Sequence, residues 1–257
     1  MGSTATRLSV HLVVLVLGLL LTAAHPNRAR ATGLNLSWDA CGHAGQSNKA
    51  FACNTNTGEE RLVFSGKFHV DGMLPELRFI ADVDFASAQM ELPLWWSIGD
   101  VGACRPGVLS MGLDPSFAEL ANCQWTEPSN SVYTMSWSTS GSSPLRRRLT
   151  IAGTPVRFLG VGNGVDSLES WVGTLRISHA RTVGAGSCSG CATPVCIVFN
   201  SLQVFDPISP YTLRSYVTGP LERNFVTWQG GASGMAICPA ATPARNRTWG
   251  SLKSLHR

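Results

Sequence analysis

Charged side chains are scarce in this sequence of 257 residues: they make up 14% of it, against 44% hydrophobic residues. A chain with so few charges can bury a core, which excludes an intrinsically disordered protein. Beyond residue 31, 17 basic residues face 16 acidic ones. A basic surface for nucleic acid is therefore not expected. The basic run Arg146 to Arg148 is interpreted as the solvated start of a strand.

Long apolar runs are also missing. Leu12 to Leu21 is an apolar stretch of ten residues, shorter than the ~20 that a membrane-spanning helix needs. Arg7 precedes it, and Ala29-Arg-Ala31 offers a small-x-small cleavage site, a pattern typical of a secretory signal peptide. We expect residues 1–31 to be removed. The remaining single domain, residues 32–257, is then secreted, periplasmic or held at the cell surface, with no membrane span.

Catalytic and metal-binding motifs are absent as well. The sequence has no G-x-S-x-G, no H-E-x-x-H and no D-x-D-x-D-G loop, which are the signatures of serine hydrolases, zinc proteases and calcium loops. His69 and His179 lie on or next to predicted strands and are interpreted as surface or cross-strand residues. We therefore predict no cofactor, no metal and, on balance, no enzymatic activity.

Cysteine is present in an even number, and every cysteine follows the predicted leader. Eight cysteines behind an export signal predict disulfides. Proximity in sequence favours four pairs among the 105 possible pairings: Cys41–Cys53, Cys104–Cys123, Cys188–Cys191 and Cys196–Cys238. A redox pair at Cys188-Ser-Gly-Cys191 would need a helix that Pro194 disfavours. Zinc held by Cys188, Cys191, Cys196 and Cys238 is chemically feasible, but an oxidising compartment competes for the thiols.

Strand signals dominate the rest of the chain. Leu77 to Phe85 alternates apolar and polar residues, and Val195 to Phe205 is apolar enough for a central strand. Turns rich in Gly, Pro and Ser separate about nine such segments. Asp114 to Cys123 is the one short helix candidate. These patterns predict an all-β fold, a single β-sandwich of jelly-roll or immunoglobulin-like arrangement.

Two pairs of side chains are candidates for ligand binding. Asp82 and Asp84 share one face of a predicted strand, with Cβ atoms ~6–7 Å apart, a spacing that glycosidases also use. A solvated face, a cation site and catalysis are the alternatives. Trp95 and Trp96 would point to opposite faces of a strand, so one could be exposed as a platform for a sugar or a protein. The alternative is a tryptophan at the sheet edge that lies under a loop or a disulfide.

Several segments of the chain resemble a group of exported bacterial proteins of unknown function. The resemblance lies in Asn35-Leu-Ser-Trp-Asp-Ala-Cys41 followed by Phe51-Ala-Cys-Asn-Thr-Asn56, in Leu92-Pro-Leu-Trp-Trp96, the segment Cys188 to Val198, Asn224 to Gly230 and the tail from Cys238 to Gly250. It implies a shared secreted fold and no particular activity. Asn35-Leu-Ser and Asn246-Arg-Thr also match the N-glycosylation pattern.

The sequence therefore predicts a non-enzymatic, disulfide-stapled binding or structural module. A carbohydrate-binding module that uses Trp95 or Trp96 is one alternative, and a glycoside-active enzyme that uses Asp82 and Asp84 is another. The partner is not identified by the sequence, although a polysaccharide or a cell-surface protein is compatible with it.

Overall fold

The computed structural model describes residues 33–67, 77–87, 91–99, 102–112, 132–139, 146–156, 169–206 and 212–230. All of them belong to a compact unit that runs from Thr32 to Arg257. Within these residues no helix has the length and apolarity to cross a membrane. The helix expected at Asp114 to Cys123 and the last expected strand, at Trp249 and Leu252, lie outside the described residues.

Eleven strands make up the fold of the described chain. In chain order they are β1 (Gly33–Trp38), β2 (Asn48–Lys49), β3 (Glu59–Lys67), β4 (Leu77–Ser87), β5 (Leu109–Gly112), β6 (Val132–Thr139), β7 (Arg146–Val156), β8 (Ser170–Ser178), β9 (Val195–Phe205), β10 (Leu213–Thr218) and β11 (Phe225–Trp228). Two 3-10 turns, Gly42–Ala44 and Leu94–Trp96, accompany them. The prediction of an all-β fold is confirmed, with more strands than the nine expected.

The strands form two sheets. Sheet A has the order β1-β3-β8-β5, and sheet B has the order β2-β11-β9-β4-β7-β6. Strand β9 is central in sheet B, as the sequence predicted. It pairs with β4 along one side and with β10 and β11, end to end, along the other.

The core lies between the two sheets, which makes the fold a sandwich. Alternation along β4 turns Phe79, Ala81, Val83 and Phe85 inward, and all four are buried, because successive side chains of a strand point to opposite faces. Residues of sheet A belong to the same cluster, and the ring of Phe64 on β3 meets that of Phe199 on β9 at 5.1 Å. The predicted alternation of this strand is confirmed.

The segment before β11 joins the two sheets along one side. Leu34 on β1 donates its amide to the carbonyl of Gly219 at 3.0 Å and accepts from the amide of Leu221 at 2.9 Å. Leu36 donates to the carbonyl of Arg223 at 2.8 Å. These hydrogen bonds satisfy the edge of β1, so this edge does not offer unpaired backbone groups.

Candidate functional site

Trp95 and Trp96 do not form an exposed platform. They lie in the 3-10 turn Leu94–Trp96 rather than on a strand, so the expectation that they point to opposite faces is wrong. Both rings are buried, with exposed fractions of 0% and 1%, while Leu94 is 61% exposed. The turn closes through a hydrogen bond of 2.8 Å from the Trp96 amide to the Pro93 carbonyl, which directs both indoles inward.

The two tryptophans are part of a buried aromatic cluster centred on Trp228. The Trp228 ring lies 4.6 Å from that of Trp95, 5.3 Å from that of Trp96 and 4.0 Å from that of Phe51. Trp38 contacts it edge-on at 6.0 Å. Aromatic pairs at these separations each add stability beyond the apolar area that they bury. The role of Trp95 and Trp96 is therefore to support this end of the sandwich.

The disulfides connect loops that are distant in sequence. Cys53 is bonded to Cys191 and Cys104 to Cys188, across 138 and 84 residues. The predicted pairs Cys41–Cys53, Cys104–Cys123 and Cys188–Cys191 are therefore wrong. With Cys188 and Cys191 in disulfides, neither thiolate remains for zinc or for a redox pair.

The remaining two cysteines of the described chain are bonded as well. Cys41 and Cys196 are both disulfide-bonded, and the described residues include no free cysteine. Cys123 and Cys238 lie outside the described residues, so the pair Cys196–Cys238 stays a prediction.

The two bridges hold three loops together at one end of the sandwich. We call residues 50–58, 91–99 with 102–108, and 179–194 the bridged loops. Besides the disulfides, the Asn56 carboxamide oxygen accepts hydrogen bonds from the amides of Thr182 at 2.7 Å and Val183 at 2.9 Å. The Trp95 amide donates to the carbonyl of Ser189 at 2.9 Å. This end of the molecule is thus cross-linked rather than loose.

Arg105 lies at the centre of the bridged loops. Its guanidinium donates to the carbonyl oxygens of Ala180 at 2.8 Å and Trp95 at 3.0 Å, and to that of Ser178. It also stacks on the Trp95 ring at 3.4 Å. Burial lowers the pKa of Arg105 to about 10, since taking a cation out of water disfavours its charge. The partners of this buried guanidinium are backbone carbonyls, where a carboxylate is the usual partner. Arg105 is therefore a structural residue.

A chain of polar side chains runs from the buried His179 to the surface. The His179 Nε2 lies 2.8 Å from a Glu60 oxygen. The other Glu60 oxygen is 3.2 Å from the Lys49 Nζ, which is 2.6 Å from Asp39. His179 is buried next to Trp228, so the imidazole is not open to a substrate. The expected cross-strand role of His179 fits this position, since Glu60 on β3 pairs with Ile177 on β8.

Asp82 and Asp84 do lie on one face of β4. They do not form a simple solvated face, because Arg148 contacts both carboxylates. The Arg148 Nε, on β7, is 3.1 Å from Asp82 Oδ1 and 3.5 Å from Asp84 Oδ1. Both oxygens are buried and neither receives a hydrogen bond within the described chain, so their contact with Arg148 is ionic. The Asp82 side chain is 21% exposed and that of Asp84 only 9%.

Asp82 has a perturbed titration. Burial raises the pKa of Asp82 above its usual value of 3.8, Arg148 lowers it, and the charge of Asp84 raises it. Desolvation has the largest effect, so the fold favours the protonated carboxyl more than water does.

A broad surface of small polar side chains surrounds Asp82. The register places Thr150 and Ser136 beside it on one side, and Ser201 and Thr218 on the other. Tyr216 and Gln203 form the adjacent row with Ile80. We call the side chains on this side of sheet B the polar face, in which Ser201 is buried: Asp82, Asp84, Ser136, Arg148, Thr150, Ser201, Gln203, Tyr216 and Thr218.

Tyr216 is the exposed aromatic of the polar face, with 58% of its surface accessible. It lies on β10, two strands from Asp82, which corresponds to about 10 Å at the spacing of strands in a sheet. Sequence reasoning missed both Tyr216 and Arg148. The alternation of Tyr216 with the buried Val217 was the available signal for the first, whereas the second depends on the β4–β7 register.

The predicted glycosylation site at Asn35 is buried. Its side-chain amide donates to Glu169 at 2.8 Å, and its carbonyl oxygen accepts from the amides of Glu222 and Arg223 at 3.0 and 3.1 Å. No surface of Asn35 is accessible. The folded chain therefore cannot carry a glycan at this position. Asn246 lies outside the described residues.

Metal binding finds no support in the described residues, where no group of three or more His, Cys, Asp or Glu side chains is placed to hold an ion. No protein-family model, curated protein or solved structure matches the chain. The resemblance to exported bacterial proteins therefore stays a prediction.

Proposed function

We propose that the protein is an exported, disulfide-stapled β-sandwich that binds a neutral glycan on the polar face and does not alter it chemically. The observation that carries this proposal is the ring of Tyr216, 58% exposed, beside hydroxyl, amide and carboxylate side chains on the same side of sheet B. The hydroxyl, amide and carboxylate groups of this face can donate to and accept from the hydroxyl groups of a sugar.

The charge balance of the polar face supports a sugar rather than a charged ligand. Arg148 offsets much of the charge of Asp82 and Asp84, and the flanking residues are hydroxyls and an amide. A nearly neutral surface of donors and acceptors has little attraction for a phosphate or a polycation. Tyr216 adds an exposed ring on which the apolar face of a sugar can stack, since aromatic groups with a polar end suit wet binding surfaces.

Export is part of the same proposal. Disulfides persist in oxidising compartments, and the described cysteines are all bonded. The predicted signal peptide supplies the route. A module of this kind would meet extracellular or cell-wall glycans at the place where it functions.

Affinity electrophoresis tests the binding. The oxidised chain 32–257 is run through gels that contain a β-glucan, a mannan or a xylan, in parallel with a glycan array. We expect retardation by at least one neutral glycan. Asp82→Asn and Tyr216→Ala should each weaken that binding about tenfold, which corresponds to the loss of one charge-assisted hydrogen bond or one stacking contact.

Two variants serve as controls. Glu59→Gln changes a carboxylate that is exposed on sheet A, and Leu94→Ala removes an apolar side chain that is as exposed as Tyr216 but lies in a loop. Neither should change the retardation. The proposal is rejected if the wild-type chain binds no glycan, or if the controls lose as much affinity as the polar-face variants.

Glycoside cleavage by Asp82 and Asp84 is the second candidate, favoured by one observation. Burial raises the pKa of Asp82, as the general acid of a glycosidase requires. Against it, Arg148 pairs with both carboxylates, and the Asp84 side chain is only 9% exposed, which leaves a substrate little access to the pair. New reducing ends released from the bound glycan, and lost in Asp84→Asn, would establish cleavage in place of binding alone.

A further inference from the structure

The bridges Cys53–Cys191 and Cys104–Cys188 are one of two pairings that are nearly equivalent in loop length. Both bridges end on the segment Cys188–Cys191, whose cysteines are three residues apart. Exchanging their partners would give Cys53–Cys188 and Cys104–Cys191. The loops closed by the exchanged pairs differ by three residues from the native ones, and loop-closure entropy changes only with the logarithm of length. The entropy of the unfolded chain therefore does not select the native pairing.

Cysteine pairs that are close in sequence compete even more strongly with the native pairs. Cys41 and Cys53 are 12 residues apart, yet both are bonded to other cysteines. In an unfolded chain the Cys41–Cys53 pair is favoured by about 40-fold over Cys53–Cys191, from the −3/2 power of loop length. Random oxidation thus leads first to pairs that the native protein does not contain.

The native pairing is selected by contacts that exist only in the packed sandwich. The Trp228 indole on β11 donates to the carbonyl of Cys191 at 2.7 Å, and the Cys188 amide donates to that of Arg181 at 2.9 Å. Gly190 has a φ of +98°, and a Cβ there would be 2.2 Å from the Pro93 Cβ. These contacts fix which cysteine faces which loop. Since β11 and Pro93 are distant in sequence from the segment Cys188–Cys191, these contacts select the native pairing only after the sandwich has packed.

We infer that the native disulfides form by thiol–disulfide exchange at the segment Cys188–Cys191 after the sandwich has packed, and that a thiol–disulfide isomerase is the maturation partner. The requirement for such an enzyme in a cell rests on the proposed export, whereas the exchange itself does not. A disulfide oxidant first removes two electrons and two protons for each bridge that forms.

The exchange itself involves no net oxidation. The isomerase thiolate attacks one sulfur of a non-native bridge, which breaks that S–S bond, forms a mixed disulfide and releases one protein thiolate. That thiolate attacks a second protein bridge, and a later thiolate attacks the mixed disulfide to release the isomerase. The number of disulfide bonds is the same before and after.

Refolding of the reduced chain 32–257 tests the inference. One arm contains glutathione disulfide alone, and the other contains reduced and oxidised glutathione with a catalytic amount of isomerase. Partial reduction with stepwise alkylation then identifies the pairs. We expect Cys41–Cys53, Cys188–Cys191 or the exchanged pairs to predominate in the first arm and the native pairs in the second. Equal yields of native pairs at equal rates in both arms would overturn the inference.

Matched glycine variants test the selecting contact. Gly190→Ala should raise the fraction of exchanged pairs several-fold under the conditions of the second arm. Gly186→Ala is the control, because it has a φ of +76° but no atom within 4 Å of its added Cβ. If Gly190→Ala does not fold, Trp228→Phe removes the donor to Cys191, and Trp38→Phe, whose indole donates to Thr227 instead, is its control. If the variants form the native disulfide pairs to the same extent as the wild type, these contacts do not select the pairing.

Discussion

Arg148 gives the polar face its electrostatic character. A lone carboxylate pair on a sheet would repel, but the guanidinium within 4 Å of both carboxylates reduces that cost. It does so without hydrogen bonds to their inner oxygens. At the scale of single residues, the two buried carboxylate oxygens are thus stabilised by the ion pair with Arg148 alone.

The raised pKa of Asp82 predicts a particular pH dependence of stability. Because the folded state binds this proton more tightly than the unfolded chain, the free energy of unfolding falls as the pH rises from 3.8 through the folded pKa, and is constant above it. Asp82→Asn removes this loss. The variant should therefore gain stability relative to the wild type at pH 7 compared with pH 3, measured by urea denaturation at both values.

The comparison with Arg148→Gln makes the prediction specific. Since Arg148 lowers the pKa of Asp82, its removal should raise that pKa further and widen the pH range over which stability is lost. If Asp82→Asn and the wild type lose stability in parallel between these pH values, the raised pKa is wrong.

Among the elements of the fold, the bridged loops are the ones whose arrangement is not fixed by strand pairing. Strands hold their own backbone groups in ladders, whereas loops need other partners for theirs. Here side chains supply these partners. Asn56 accepts hydrogen bonds from the amides of Thr182 and Val183, and Arg105 donates hydrogen bonds to three backbone carbonyls. The disulfides then lock an arrangement that polar contacts already define.

Arg105→Met tests that arrangement. The variant keeps most of the apolar stem but leaves the carbonyls of Trp95, Ser178 and Ala180 without their donor. We expect a loss of about 3 kcal/mol or more in the free energy of unfolding, from about 1 kcal/mol or more for each buried acceptor. Urea denaturation followed by tryptophan fluorescence measures it, with the oxidised protein.

Arg181→Met is the matched control for this experiment. Arg181 also donates to a loop carbonyl, that of Cys104 at 2.7 Å, but from an exposed position. Its loss should cost about 1 kcal/mol or less. Equal effects of the two variants would mean that the buried guanidinium does not hold the loops together.

At the scale of the whole molecule, the disulfides and the hydrophobic core act together. The sandwich buries one main cluster between its sheets, and each bridge over 84 or 138 residues restricts the unfolded chain. By loop entropy, such long loops give about 4–5 kcal/mol each as an upper value. The folded state is therefore expected to depend strongly on oxidation.

Thiol alkylation of the oxidised chain checks this dependence. Mass spectrometry after denaturation without reductant should show no alkylated cysteine, and after reduction it should show eight. Urea denaturation should give a lower midpoint for the reduced protein. Four alkylated thiols together with bound zinc in the untreated protein would instead establish a metal site and refute full oxidation.

The sequence by itself determined the class of the fold, since the alternation of apolar and polar residues and the positions of turn residues are local properties that can be read along the chain. It also placed Asp82 and Asp84 on one face, because their spacing of two residues defines that face in any strand. These predictions needed no knowledge of what lies opposite each residue.

Only the tertiary structure decided the disulfide pairing, the burial of Trp95 and Trp96, and the neighbours of Asp82. Proximity in sequence favoured Cys41–Cys53, but bridges of the packed state join whichever sulfurs the sheets bring together. Likewise, Arg148 and Tyr216 reach the polar face through strand register, which hydrogen bonds between distant segments set. Long-range pairing carries no local signal, and that is why these features emerge only from the folded chain.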